Sequence, residues 1–233
     1  MGQDVSQIPN ISIGDYTLEV VDTFIYLGST IASNLSLDAE LNSRIDKAAT
    51  VMALLVRRVW DNSMLTIKTK MKVSQACVLS TLLYSSETWT LYSHQGSRLN
   101  VFHPSCLIQI LGITLHNHVP NKNVLAQTRI PSMLALLVQR RLRWLGHLSR
   151  MEDGRIPKEM LYGELATGTR LAGRPVLRYK DVCKRDLKAG DINSEGWEAA
   201  AADRDSWRLA VETGIQTSRK KRKDLWDAWR ERR

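Results

Sequence analysis

The chain has 233 residues, enough for one large or two small domains with a sizeable core, and its 43% hydrophobic content excludes wholesale disorder. No apolar run approaches the roughly 18 residues needed to span a bilayer, and no charged start leads into an apolar stretch. A nuclear or cytoplasmic protein is therefore expected, neither membrane-bound nor secreted.

Three cysteines without framework spacing suit a reducing compartment. The formal net charge of +9 is uneven: residues 1–50 carry −5, 51–136 carry +6, 137–188 carry +7, 189–203 carry −4 and 204–233 carry +5. An acidic N-terminal arm thus precedes a basic middle and end, which point to a polyanionic partner, RNA or DNA.

Residues 1–10 read as a flexible N-terminus; Met1-Gly2-Gln-Asp-Val-Ser6 fits the N-myristoylation pattern, which is short and often met by chance. Residues 11–33 look like a small antiparallel sheet. Ile11 and Ile13, then Leu18 and Val20, alternate around the Gly14-Asp15 turn pair, and Phe24-Ile-Tyr-Leu27 continues in β-prone residues before Gly28.

Helical periodicity then takes over. Ser36 is the expected N-cap, with Asp38 and Glu40 in the first turn. Leu41, Ile45, Ala48, Met52, Leu55 and Val59 form one apolar stripe, with Arg44 and Lys47 off it, and Asp61-Asn62-Ser63 ends the helix. A second helix is predicted from Ile67 to about Tyr84. Lys68, Lys70 and Lys72 near its start oppose the helix dipole and should answer something outside it. A third falls between Ser97 and Leu111, where Pro104 predicts a start near His103 or a kink. The next begins near Pro131 and runs to about Met151.

On that helix Leu134, Leu137, Val138, Leu142, Leu145 and Leu148 share one face, while Arg140, Arg143, His147 and Arg150 fall together on the other. The second face is either solvated or a phosphate-tracking stripe. Arg141 lies on the apolar face and must snorkel, find an acidic partner or meet a ligand. Trp144, at the border, is a core residue or a base-stacking platform.

Gly154, Gly163, Gly168 and Gly173 then break the chain. A last helix is predicted from near Ser194, with Trp197, Ala201, Arg204, Trp207 and Val211 on one face, followed by a basic tail over 214–233 holding Arg219-Lys-Lys-Arg-Lys223. The fold class is mainly α: a small N-terminal antiparallel β-hairpin followed by a multi-helix bundle.

No nucleophile elbow, zinc-protease motif or phosphate-binding loop occurs, and the one adjacent acidic pair, Glu152-Asp153, reads as a solvated helix flank. His103, Cys106, His116 and His118 are too apolar in their intervening segment for a zinc knuckle. Cys77, Cys106 and Cys183 read as small core hydrophobes. No metal or cofactor is expected.

Phe24-Ile-Tyr-Leu-Gly-Ser-Thr30, Leu82-Leu-Tyr-Ser-Ser-Glu-Thr-Trp89, Arg143-Trp-Leu-Gly-His147, Ala172-Gly-Arg-Pro175 and Trp207-Arg208 occur in this order. Together they resemble the C-terminal part of reverse transcriptases from LINE-type (non-long-terminal-repeat) retrotransposons, over roughly residues 11–210. The resemblance implies that Phe24, Tyr26, Leu27 and Gly28 belong to a primer-grip hairpin (11–33), that 34–118 form a thumb-like bundle holding the template–primer duplex, and that 119–213 bind element RNA or target DNA. Where the family has glycine after L-L-Y, this chain has Ser85. The family's polymerase aspartates lie upstream of the Y-L-G hairpin, so the chain is expected to be a fragment, silent as a polymerase unless a separate reverse transcriptase core supplies them.

The candidate nucleic-acid contacts are Arg44, Lys47, Lys68, Lys70, Lys72, Arg140, Arg143, His147, Arg150, Arg174, Arg178 and Lys180. Arg174 sits in a Gly-Arg-Pro segment resembling a minor-groove hook. The alternative is a decayed or adopted protein-interaction module that binds no nucleic acid.

Overall fold

The computed structural model describes residues 11–114, 119–163 and 177–231, with side chains to residue 221. The myristoylation pattern, His116, His118 and Arg174 lie outside these. The architecture is mainly helical behind an N-terminal β region.

That region holds two separate hairpins instead of one sheet. β1 (Ser12–Ile13) pairs with β2 (Tyr16–Thr17), and β3 (Thr23–Tyr26) pairs with β4 (Ser29–Ala32), both antiparallel. With Tyr26 opposite Ser29, the second hairpin closes through Leu27-Gly28 alone. Both turn residues have positive φ, 47° and 81°, as the tight turn matching strand twist requires. Glycine adopts this freely; leucine does not.

α1 (Asp38–Leu54) buries Leu41, Ala48 and Met52 as its periodicity predicts, and leaves Ile45 half-buried. Its cap differs: Leu37 is the N-cap, and the Ser36 hydroxyl accepts the Asp38 N–H. A wide π turn, Val56–Trp60, follows, and Trp60 is buried with its indole N–H donating to the Met52 carbonyl. α2 (Ile67–Val73) begins at Thr66, whose hydroxyl accepts the Thr69 N–H, and passes through a second π turn (Ser74–Leu79) into α3 (Ser80–Leu82). The predicted opposition of Lys70 to its helix dipole is answered by the Trp60 carbonyl at 2.5 Å.

α4 runs from Ser93 to Leu111 with Pro104 inside it, so the late start near His103 does not occur. An interior proline costs about 3 kcal/mol in helix propensity. Here Leu99, Pro104, Cys106, Leu107 and Ile110 are all buried, and each large aliphatic contributes about 1.5–3 kcal/mol, which offsets it. α5 (Asn121–Thr128) was not anticipated. α6 (Met133–Ser149) starts at Ser132, whose hydroxyl accepts the Ala135 N–H. Leu137, Leu142, Leu145 and Leu148 are buried as expected, whereas Leu134 is exposed.

Beyond α7 (Ile156–Tyr162) and α8 (Tyr179–Ala189), the predicted last helix breaks in two. Asp203 is extended between α9 (Trp197–Ala202) and α10 (Arg204–Glu231), and its carboxylate accepts the Ser206 N–H at 2.7 Å. The break shifts the helical phase, so Arg204 is exposed while Trp197, Ala201, Trp207 and Val211 are buried. The basic run from Arg219 is part of α10. Cys106 and Cys183 are buried, but Cys77 is exposed.

Two hydrophobic clusters meet along α6. One joins α1–α5 to Met133 and Leu137; the other joins Leu142, Leu145 and Leu148 to α7–α10. α6 is the shared spine, so its outward face is held rigidly from both ends. No helix among the described residues is long and apolar enough to cross a membrane.

Candidate nucleic-acid interface

Leu137, Leu142, Leu145 and Leu148 fill one side of α6, which turns Arg140, Arg143, His147 and Arg150 away from it. Three cavities follow this face in succession. The first lies between the β3–β4 hairpin and α3, lined by Tyr26, Leu27, Tyr84, Glu87 and Arg140. The second shares Glu87 and Arg140 with it and adds Arg143, Trp144 and His147. The third, about 800 Å³, shares Arg143 and His147 and adds Arg150, Arg204, Asp205 and Arg208. The shared residues place the three cavities in a row, the α6 groove, from the Y-L-G hairpin to the start of α10.

Its charges are not equally free. Arg140 donates to the Leu83 carbonyl at 3.1 Å and stands 3.8 Å from Glu87. Arg150 donates to the Ala201 carbonyl at 2.5 Å, neutralising the C-terminal end of α9. Arg143, Arg204 and Arg208 are exposed, and none of the three has an ion pair among the described residues. His147 is exposed beside Trp144, with ring centroids 5.1 Å apart. Arg204 and Arg208 were missed from the sequence because the Asp203 break was. Cationic side chains therefore line the third cavity against a single carboxylate, Asp205, and can hold phosphates.

The two helices forming it are locked by a close approach. A Cβ on Gly146 would lie 2.2 Å from the Trp207 indole nitrogen, so only glycine admits that ring. Trp207 is buried, and its N–H donates to the Leu142 carbonyl at 2.9 Å. The Gly of Arg143-Trp-Leu-Gly-His147 and the Trp of Trp207-Arg208 are thus two halves of one contact. Arg141 takes the acidic-partner option: buried, it pairs with buried Asp186 of α8, while its Nε has no partner. Burial pushes the Asp186 carboxyl up, and the Arg141 charge pulls it back.

Arg44 is corrected by the structure. It does not face solvent but is buried, bonded through Nε to Glu40 at 2.7 Å and through Nη2 to the Gly28 carbonyl at 2.6 Å and the Ser29 hydroxyl. Its guanidinium also stacks on Tyr84, 4.5 Å from the ring centre. Tyr84 in turn donates to the Leu27 carbonyl at 2.9 Å, and Glu40 accepts the Thr30 N–H at 2.6 Å. The strained turn is held by the helices behind it, leaving Tyr26 and Leu27 exposed at the groove's end. Phe24 is also exposed. Ser85 sits at φ 61°, the left-handed conformation that favours glycine.

Lys47, Lys68 and Lys72 are exposed on α1 and α2, outside the groove, and Lys70 is tied to Trp60. Arg178 pairs with Asp181 at 3.0 Å, and Lys180 stands over the Tyr162 ring; neither lines the groove. Glu152 and Asp153 are exposed beside Arg155 and Lys158. His103 is buried with its Nε2 unpartnered, and burial pushes its pKa down to about 4. No group of three or more metal-ligating side chains occurs among the described residues.

No family model matches the chain, and no solved structure matches it significantly. An uncharacterized protein of Caenorhabditis elegans, described as transposon-derived, is 28% identical over 210 residues, covering 86% of this chain and 74% of the relative.

Proposed function

We propose that this chain is a nucleic-acid-binding remnant of a retrotransposon reverse transcriptase, comprising the hairpin and thumb-like helices that grip a template–primer or target strand and the region downstream. The observation that carries the reading is the groove along α6: exposed Arg143, Arg204 and Arg208 lie along one track that ends at the exposed Tyr26 and Leu27. A 28% identical relative described as transposon-derived supports the origin. The partner is RNA or DNA, bound mainly through phosphates, with no bound cofactor required.

The exposed hairpins favour a second partner as well. Ile13, Tyr16, Val20 and Ile25 are each more than half exposed. Exposed apolar side chains of this kind suit a protein neighbour, and an upstream reverse transcriptase core is the one the resemblance supplies. The test of the main reading is a fluorescence-anisotropy titration of labelled RNA and DNA, single-stranded and duplex, at about 50 mM salt, where phosphate contacts are strong. Saturable binding that weakens as salt rises is expected. Absence of binding to all four would overturn it in favour of the protein-interaction module.

A further inference from the structure

The middle cavity of the groove differs from the one beside α10. Its apolar lining comes from Leu79, Leu83, Ile130 and Leu136, and its charged lining from Arg143 and from Arg140 beside Glu87. Trp144 forms part of the wall; it is half-buried, and its ring touches His147 on one side. Gln75 and Gln139 also reach the cavity, and no hydrogen bond among the described residues occupies either amide. At about 590 Å³ it falls in the size range of small-molecule sites.

These groups divide by chemistry into three sets. Arg143 suits phosphate oxygens, the indole and aliphatic lining suit the face of a planar ring, and the amides can donate to and accept from a ring's polar edge. A base stacked within a duplex offers none of its face and cannot enter a recess, whereas an unpaired base can. We propose, resting on the nucleic-acid reading above, that this cavity holds one unpaired base against Trp144. A flanking phosphate lies on Arg143, which has no ion pair among the described residues, so the groove takes single strands in preference to duplex.

The test uses the full chain and fluorescence anisotropy with single-stranded and duplex oligonucleotides of equal length, in RNA and DNA arms. The wild type binds single strands more tightly than duplex in at least one arm. It binds an abasic strand, which keeps every phosphate and lacks the bases, about tenfold more weakly than the normal strand. Trp144→Leu keeps the apolar packing, removes the aromatic face and loses about tenfold in single-strand affinity with duplex affinity within twofold; Trp144→Phe retains most of it. Equal binding of abasic and normal strands would overturn the proposal without any variant, as would equal affinity for duplex and single strand in both arms. Salt-dependent binding that persists in those cases would leave the basic groove standing and remove only the base pocket. Loss of all binding by the wild type would remove both.

Discussion

Replacing Arg141 by alanine leaves the Asp186 carboxylate buried between α6 and α8 with its counter-charge gone. Both side chains are under a tenth exposed, so solvent screening is slight. Breaking such a pair by removing one partner costs about 3–5 kcal/mol. For a chain of this size each kcal/mol moves Tm by roughly 2–4 °C, so the variant should melt on the order of 10 °C below wild type. The deficit should depend on pH. Without Arg141 the carboxyl stays protonated in the folded state well above its unfolded pKa, so folding takes up a proton and the deficit shrinks as pH falls toward 4. The native pair is imperfect, since Arg141 Nε is orphaned. Arg141→Met with Asp186→Leu should therefore recover most or all of the loss. The assay is a set of thermal and urea melts at pH 7 and near pH 4.5. A loss below about 1 kcal/mol for Arg141→Ala, or no recovery in the double variant, would refute the buried-pair reasoning.

Gly146→Ala drives a methyl into the Trp207 ring and should destabilise by about 1–3 kcal/mol, measured by urea melts; a neutral result would mean that α10 does not pack on α6 as described. Ser85→Gly and Leu27→Asn both relieve left-handed strain at positions of little packing and should each raise stability by about 1 kcal/mol in the same melts. Leu27→Asn should in addition weaken template–primer binding if the hairpin tip touches the strand. His103, held neutral to about pH 4, contributes stability that is present above its unfolded pKa near 6.5 and is lost as pH falls toward 4, by about 3 kcal/mol in total. His103→Asn should flatten the fall in Tm between those pH values, and an unchanged profile would show that other groups govern it.

The α6 face was legible because six leucine and valine positions repeat at helical spacing, and the same wheel singled out Arg141 as the misplaced charge. Its partner, Asp186, lies 45 residues away and could not be read from a local pattern. Gly146 was visible as part of a motif, but its reason is a tryptophan on another helix. Arg204 was assigned to the wrong face because the pattern runs through Asp203 without a proline or glycine to mark the break; the signal available was Asp203 three residues before Ser206, an N-cap spacing. Arg44 carried a clue in Glu40 four residues earlier, the spacing of a helical ion pair, though not that the pair would be buried beneath the hairpin. Helix α4 holds Pro104 in its interior because tertiary burial outweighed local propensity.

The measurement closest to the central claim is the salt dependence of binding for a variant with Arg143, Arg204 and Arg208 changed to alanine. A parallel variant changes Lys47, Lys68 and Lys72, exposed lysines that lie off the groove. Each lost phosphate contact lowers the slope of log K against log salt by about 0.7 for single strands and 0.9 for duplex, so the arginine variant should lose about 2 to 3. Its Tm should change little, since all three side chains are exposed. The lysine variant should keep a slope close to wild type. Equal losses in the two variants, or an unchanged slope in the arginine variant, would contradict a phosphate-tracking groove along α6 and reduce it to a solvated face.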